Sequence, residues 1–153
     1  MIELIRKIEP GIIERLVQLE TEAFGKGGMN AWHLVPLIRH GRVYIIRKDE
    51  QIIGAVQYML DWDSKKKAYM VGVSISKEFR GGGLGTELLK ESFEALTIEK
   101  IEEVELTVDS DNIGAVKVYK TKLGFMVTDF RTSEYGEGED RLVMTLSLAN
   151  FKN

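Results

Sequence analysis

At 153 residues the chain has the length of one domain, 1–153, able to bury about two-thirds of the surface its unfolded form would expose. Hydrophobic residues at 44% and charged residues at 29% exclude a disordered segment, and no apolar run approaches the ~18 residues of a membrane span. A net charge of −3 argues against a nucleic-acid partner, which needs a basic face, and the lack of cysteine excludes disulfides and any acyl-cysteine intermediate.

In chain order, Ile2 to Arg6 alternates and predicts a short edge strand. The start carries no signal-peptide core, so the expectation is a cytoplasmic protein with no membrane partner. Pro10 suits a first helical position, and Ile12, Ile13, Leu16, Val17, Ala23 and Phe24 recur at helical spacing up to the glycines at 25, 27 and 28. A second helix is predicted from an asparagine cap at Asn30 to His40, with Trp32, Val35 and Ile38 as its stripe and Pro36 as a strain inside it. His33 and His40 have no partner at ligand spacing, so no metal site is expected.

A hairpin, Arg42 to Arg47 and Ile52 to Asp61, turns through residues 48–51, and the lysines at 65, 66 and 67 predict a solvated tip. Then come a strand from Ala68 to Ser76, a glycine turn, a helix to about Ile98 and a strand from Glu102 to Val108. This βαβ unit makes its two strands parallel through a right-handed crossover. A helix from Asn112 to Lys122, a strand Phe125 to Arg131, an acidic loop Ser133 to Asp140 and a strand Arg141 to Leu148 follow. The class is α/β (α+β).

The glycine turn carries the chemistry. Gly81, Gly82, Gly83 and Gly85 allow positive φ and close approach of a ligand, and Leu84, Leu88, Leu89, Phe93 and Leu96 form a helical stripe directly after them. Unpaired amides at that helix start, with the helix dipole, favour a phosphate or pyrophosphate. The ATP-type loop fails because no lysine follows Gly85, and the dinucleotide pattern fails because Leu88 stands where its last glycine belongs. What fits is Arg80-x-x-Gly83-x-Gly85, followed after a strand by Asn112, Ala115, Tyr119, Gly124 and Phe125. Together these segments resemble the acetyl-coenzyme-A signature and the following helix of the GNAT N-acetyltransferase superfamily, and the resemblance extends over nearly the whole chain.

The resemblance implies a mixed, mostly antiparallel twisted sheet of about seven strands with about four helices, its central parallel pair splayed to hold acetyl-CoA as acyl donor. It implies cofactor contacts from Val73, Ser74 and Ile75 with the pantetheine arm, from Arg80, Gly81, Gly82, Gly83, Leu84, Gly85 and Thr86 with the pyrophosphate, and from Asn112 and Tyr119. Tyr119 would act as general acid toward the departing thiolate, or simply pack on the sheet. A backbone N–H at Val73 or Ile75 is the expected oxyanion donor. Relatives that acetylate protein amino termini often carry a glutamate where Thr107 stands here, so Glu105, Glu22 or a water relay remain as routes for the amine's proton. Glu22, Phe24, Met29, Trp32 and Tyr135 are candidates to touch the acceptor, with Phe24 and Trp32 as core residues in the alternative. Glu134, Glu137, Glu139 and Asp140 would either steer a cationic amine or form an ordinary polar turn. The acceptor is a small-molecule or peptide amine, and dimers are common among such chains. The competing readings are a non-catalytic acyl-CoA sensor and a nucleotide-phosphate binder, the latter disfavoured by the missing lysine.

Overall fold

The elements form close to these bounds in a computed structural model that describes residues 1–149 and 151. The strands are β1 (Ile2–Leu4), β2 (Arg42–Lys48), β3 (Gln51–Leu60), β4 (Lys67–Ile75), β5 (Glu103–Val108), β6 (Met126–Arg131) and β7 (Arg141–Ser147). The helices are α1 (Pro10–Phe24), α2 (Ala31–His40), α3 (Leu84–Ile98) and α4 (Ile113–Lys117), the last continued by a π turn over Val118–Lys122. The seven strands follow one another in the sheet in the order β1-β2-β3-β4-β5-β7-β6. Pairing is antiparallel at β1–β2, β2–β3, β5–β7 and β6–β7. It is parallel at β4–β5, over Lys67↔Glu103, Ala68↔Val104 and Tyr69↔Glu105. A helix of α3's length between β4 and β5 is what a parallel neighbour requires.

The chain divides into two compact units, Met1–Met59 with Met70–Ala95, and Leu60–Tyr69 with Leu96 onward. In the first unit, Pro10 opens α1 where its missing N–H costs nothing, and Ile13, Leu16, Leu19 and Glu20 form the buried face. The three apolar residues pack with Leu34 and Ile38 of α2 and with Val43, Ile45 and Ala55 of the sheet. Phe24 and Trp32 are not core: they are 51% and 88% exposed. Apolar spacing predicted them on the stripe, but each stands at a helix end, where the turn beyond has left the core. The second helix runs through Pro36, a break that ordinarily costs about 3 kcal/mol. A reciprocal cap, Asn30 accepting from the helix start and His33 accepting from Asn30 N, and the burial of Leu34 and Ile38 offset it.

In the second unit Val104, Leu106 and Val108 alternate inward along β5, and Val143, Met144 and Leu146 of β7 are also buried. Lys67 belongs to β4 rather than to a solvated tip. Its ammonium lies 3.3 Å from Glu105 and 3.9 Å from both Asp61 and Glu103.

Candidate active site

The first unit holds the glycine turn. After Ile75 the chain makes a 3-10 turn over Lys77–Phe79, anchored by Ser76 N donating to Ile53 O at 2.7 Å. Arg80 Nε donates to Ile75 O at 3.0 Å, so this side chain braces the turn it belongs to. Gly81 and Gly83 take φ values of 86° and 80°, in the left-handed region that side chains avoid. No atom lies within 4 Å of where a Cβ on Gly81, Gly82 or Gly83 would stand. The helix α3 starts at Leu84, and Glu87 N donates to Gly83 O at 3.0 Å. The amides of Leu84, Gly85 and Thr86 precede that bond and have no helical acceptor. Bare glycine backbone and free amides at the start of a 15-residue helix suit a diphosphate in shape and charge. Ile75 seats the turn, with its Cγ1 3.5 Å from the Cβ position of Gly85.

The sheet face behind this turn departs from the hydrophobic pattern. On β4 the buried residues are Ala68, Met70 and Ser74, with Ser76 beyond, while Val71, Val73 and Ile75 are half-buried. Of the acceptor candidates in this unit, Glu22, Phe24 and Trp32 are exposed and Met29 is half-buried.

The second unit holds a group of hydroxyls of which sequence reasoning named Thr107 and Tyr135 but missed Tyr69. Tyr69 on β4 and Thr107 on β5 share a hydrogen bond of 2.9 Å between their hydroxyls. Tyr135, from the β6–β7 loop, is a further neighbour whose phenol acts on that of Tyr69. Burial, with Tyr135 and Glu105 adding to it against the opposing bond from Thr107, pushes the Tyr69 phenol up to about 12. The signal that would have found this pair is the β4–β5 register, which sets Tyr69 beside Glu105, two residues before Thr107.

Glu105 is an ion-pair hub. Its two oxygens lie 3.3 Å from Lys67 Nζ and 3.6 Å from Arg131 Nη2. The acidic loop is likewise engaged in its own structure. Glu134 pairs with Arg131 at 3.0 Å, Glu139 with Arg141 at 3.3 Å, and Asp140 accepts from Ser133 N at 2.8 Å. The Arg141 guanidinium also lies 5.0 Å over the Tyr135 ring, fixing the loop tyrosine from above.

Asn112 caps α4, accepting from Ala115 N at 3.3 Å. Tyr119 sits in the π turn, its ring edge-on to Phe125 at 5.6 Å, and its carbonyl accepts from Phe125 N at 2.9 Å. Burial raises its phenol above the ordinary tyrosine range. A π turn widens one helical turn, here at the one residue assigned an acid role. Among the described residues no group of three or more histidine or carboxylate side chains is placed to hold a metal, and no helix is long and apolar enough to cross a membrane.

The raised tyrosines make alkaline stability testable. A phenol whose folded pKa lies above its unfolded value of 10 contributes stability present in full below pH 10 and lost as pH rises toward 12. Tyr69→Phe therefore flattens the fall of urea midpoint between pH 10 and 12 relative to the unaltered chain; equal slopes would mean that Tyr69 titrates as an exposed phenol.

Residues 11–125 match the Acetyltransferase (GNAT) family model. The chain is 29% identical over 115 residues to an N-alpha-acetyltransferase of Sulfurisphaera tokodaii, covering 69% of this chain and 68% of that one. It is 24% identical over 147 residues to an N-alpha-acetyltransferase of Sulfolobus acidocaldarius, covering 89% and 87%. In structure it resembles the ribosomal-protein-S18-alanine N-acetyltransferase of Escherichia coli, with a TM-score of 0.80 at 16% identity over 97% of this chain and 94% of that one.

Proposed function

Because the chain belongs to the GNAT acetyltransferase family, whose fold supports acetyl transfer from acetyl-CoA, we propose that it acetylates the α-amino group of peptide or protein amino termini by direct attack, without an acyl-enzyme. The observation that carries this reading is the hydroxyl group of Tyr69, Thr107 and Tyr135 beside a loop whose carboxylates are largely spent. A polyamine or aminoglycoside needs free carboxylates. Three of the four in this loop are paired: Glu134 with Arg131 of β6, Glu139 with Arg141 of β7, and Asp140 with Ser133 N. Hydroxyls that both donate and accept suit a peptide backbone, which carries donors and acceptors in alternation. The names of the archaeal relatives point the same way.

Acetyl-CoA supplies a thioester whose acetyl group passes to the amine. The chain's own part is positional and electrostatic. Amides of Gly81 to Thr86 hold the pyrophosphate, and the backbone of Val73 to Ile75 pairs with the pantetheine arm. An N–H at Val73 or Ile75 faces the developing oxyanion. Tyr119, kept protonated by burial, donates to the departing thiolate. Tyr69 is protonated at neutral pH and acts as a donor rather than a base, ordering with Thr107 a water that relays the amine's proton to bulk solvent. Glu105, held by two cations, orients this group instead of accepting that proton.

Thiol release from acetyl-CoA is the test, with free-amino-terminal peptides, the same peptides blocked at the α-amine but carrying lysine, polyamines and aminoglycosides as acceptors. Release with the first set only is expected. Release with polyamines or aminoglycosides alone would replace the substrate class, and acetyl-CoA binding with no release in any arm would favour a sensor.

A further inference from the structure

Three polar atoms of the first unit are buried without a protein partner: Glu20 Oε2, Gln57 Oε1 and Ser74 Oγ. Their residues are 2%, 1% and 4% exposed. Burying an acceptor with nothing to donate to it is costly, and such atoms persist where something else meets them.

Gln57 and Glu20 are both tied to one place. Gln57 Oε1 lies 3.3 Å from where a Cβ on Gly72 would stand, and Met29 Cε lies 4.0 Å from the same point. Glu20 Oε1 accepts from Met29 N at 2.9 Å, so the carboxylate grips the backbone of the residue whose thioether lies over Gly72. Gly28 presses on the last turns of α1 so closely that a Cβ there would stand 2.7 Å from Glu20 O. Asn30 N donates to His33 Nδ1 at 3.2 Å. The backbone on either side of Met29 is therefore fixed, while its unbranched side chain keeps three rotatable bonds. Gly72 and Met29 are half-buried and open to solvent, and Gln57 is sealed beneath them.

We propose that Met29, Gly72 and Gln57 form a subsite for the acceptor's first side chain, in which Met29 swings aside and Gln57 Oε1 accepts a hydrogen bond from the hydroxyl of an amino-terminal serine or threonine. This rests on the peptide reading of the same protein. The missing Cβ at Gly72 provides the room, and the room is small. The amide oxygen requires a donor, which serine has and alanine lacks. The floor favours a neutral donor over a cation, since Gln57 is uncharged and burial raises the Glu20 carboxyl toward its neutral form against the lowering contributions of Met29 N–H and His33. The carboxylate of Glu20 acts through Met29 as a positioning residue.

Peptides that differ only in their first residue, serine against alanine and threonine against valine, are compared by kcat/KM in the unaltered protein and in Gln57→Leu. The unaltered protein prefers the hydroxyl member of each pair by roughly fivefold or more, the size of a net hydrogen bond with its unpaired penalty. In Gln57→Leu both ratios fall to about one, with acetyl-CoA affinity unchanged and Tm not lowered, because an unpaired acceptor has left the interior. Gly72→Ala keeps the test open should Gln57→Leu fold poorly. Its Cβ meets Gln57 Oε1 and lowers kcat/KM for the serine and threonine peptides more than for a glycine-starting peptide. Equal ratios in the unaltered protein and Gln57→Leu would overturn the subsite while leaving the peptide reading intact, and turnover of no peptide at all would overturn both.

Discussion

Gly83→Val abolishes measurable acetyl-CoA binding while the protein keeps its far-UV circular dichroism and a cooperative urea transition. The reason lies in the backbone. Gly83 has φ of 80° directly before the first residue of α3, and a β-branched residue avoids that region by about 1–2 kcal/mol or more. The added Cβ has no protein atom within 4 Å and the turn lies outside the core, so the fold survives. The cost falls on the turn, which must rotate its amides out of the anion-holding arrangement and also set two methyl groups where the pyrophosphate approaches. Losing two charge-assisted hydrogen bonds at about 1.5–3 kcal/mol each predicts an affinity loss of about 100-fold or more. Gly82→Ala is the control, since Gly82 has ordinary φ and open space around it and should lose far less. Calorimetric titration with acetyl-CoA decides, and normal affinity in Gly83→Val would remove this turn from the cofactor site.

What made this turn legible is that strand alternation, a glycine run and a helical stripe are all local, and each restricts the chain at the scale of a few residues. The same holds for the bounds of α1, α3 and β7, which stand within about two residues of the expected ones. Tertiary register was not legible. Tyr69 and Thr107 stand 38 residues apart, and only the parallel β4–β5 pairing sets their hydroxyls together. For the acidic loop, amine steering and an ordinary polar turn both stayed open, because nothing local says that Arg131 and Arg141 turn back onto it. Glu20 and Gln57 were overlooked for a different reason: hydropathy assigns polar residues to solvent, and these two are buried. The π turn at Val118–Lys122 continues a helical spacing of apolar residues, so periodicity passes through it unchanged.

That turn supports the second large effect. Tyr119→Phe lowers kcat about 100-fold, the lower end of what a placed general acid contributes, and leaves acetyl-CoA affinity within about threefold. Phenylalanine preserves the edge contact with Phe125 and leaves the hydrogen bond between the main chains of residues 119 and 125 in place, so only the hydroxyl is tested. The pH dependence has a definite sign. A general acid works in its protonated form, and burial raises the Tyr119 pKa above the ordinary tyrosine value, so the alkaline fall in kcat that its deprotonation causes lies at higher pH than for an exposed phenol. That fall is lost in Tyr119→Phe, whereas an alkaline fall caused by any other group survives there at the reduced rate. A variant with unchanged kcat would return Tyr119 to the role of a packed aromatic, and the thiolate would then leave unassisted or take its proton from solvent.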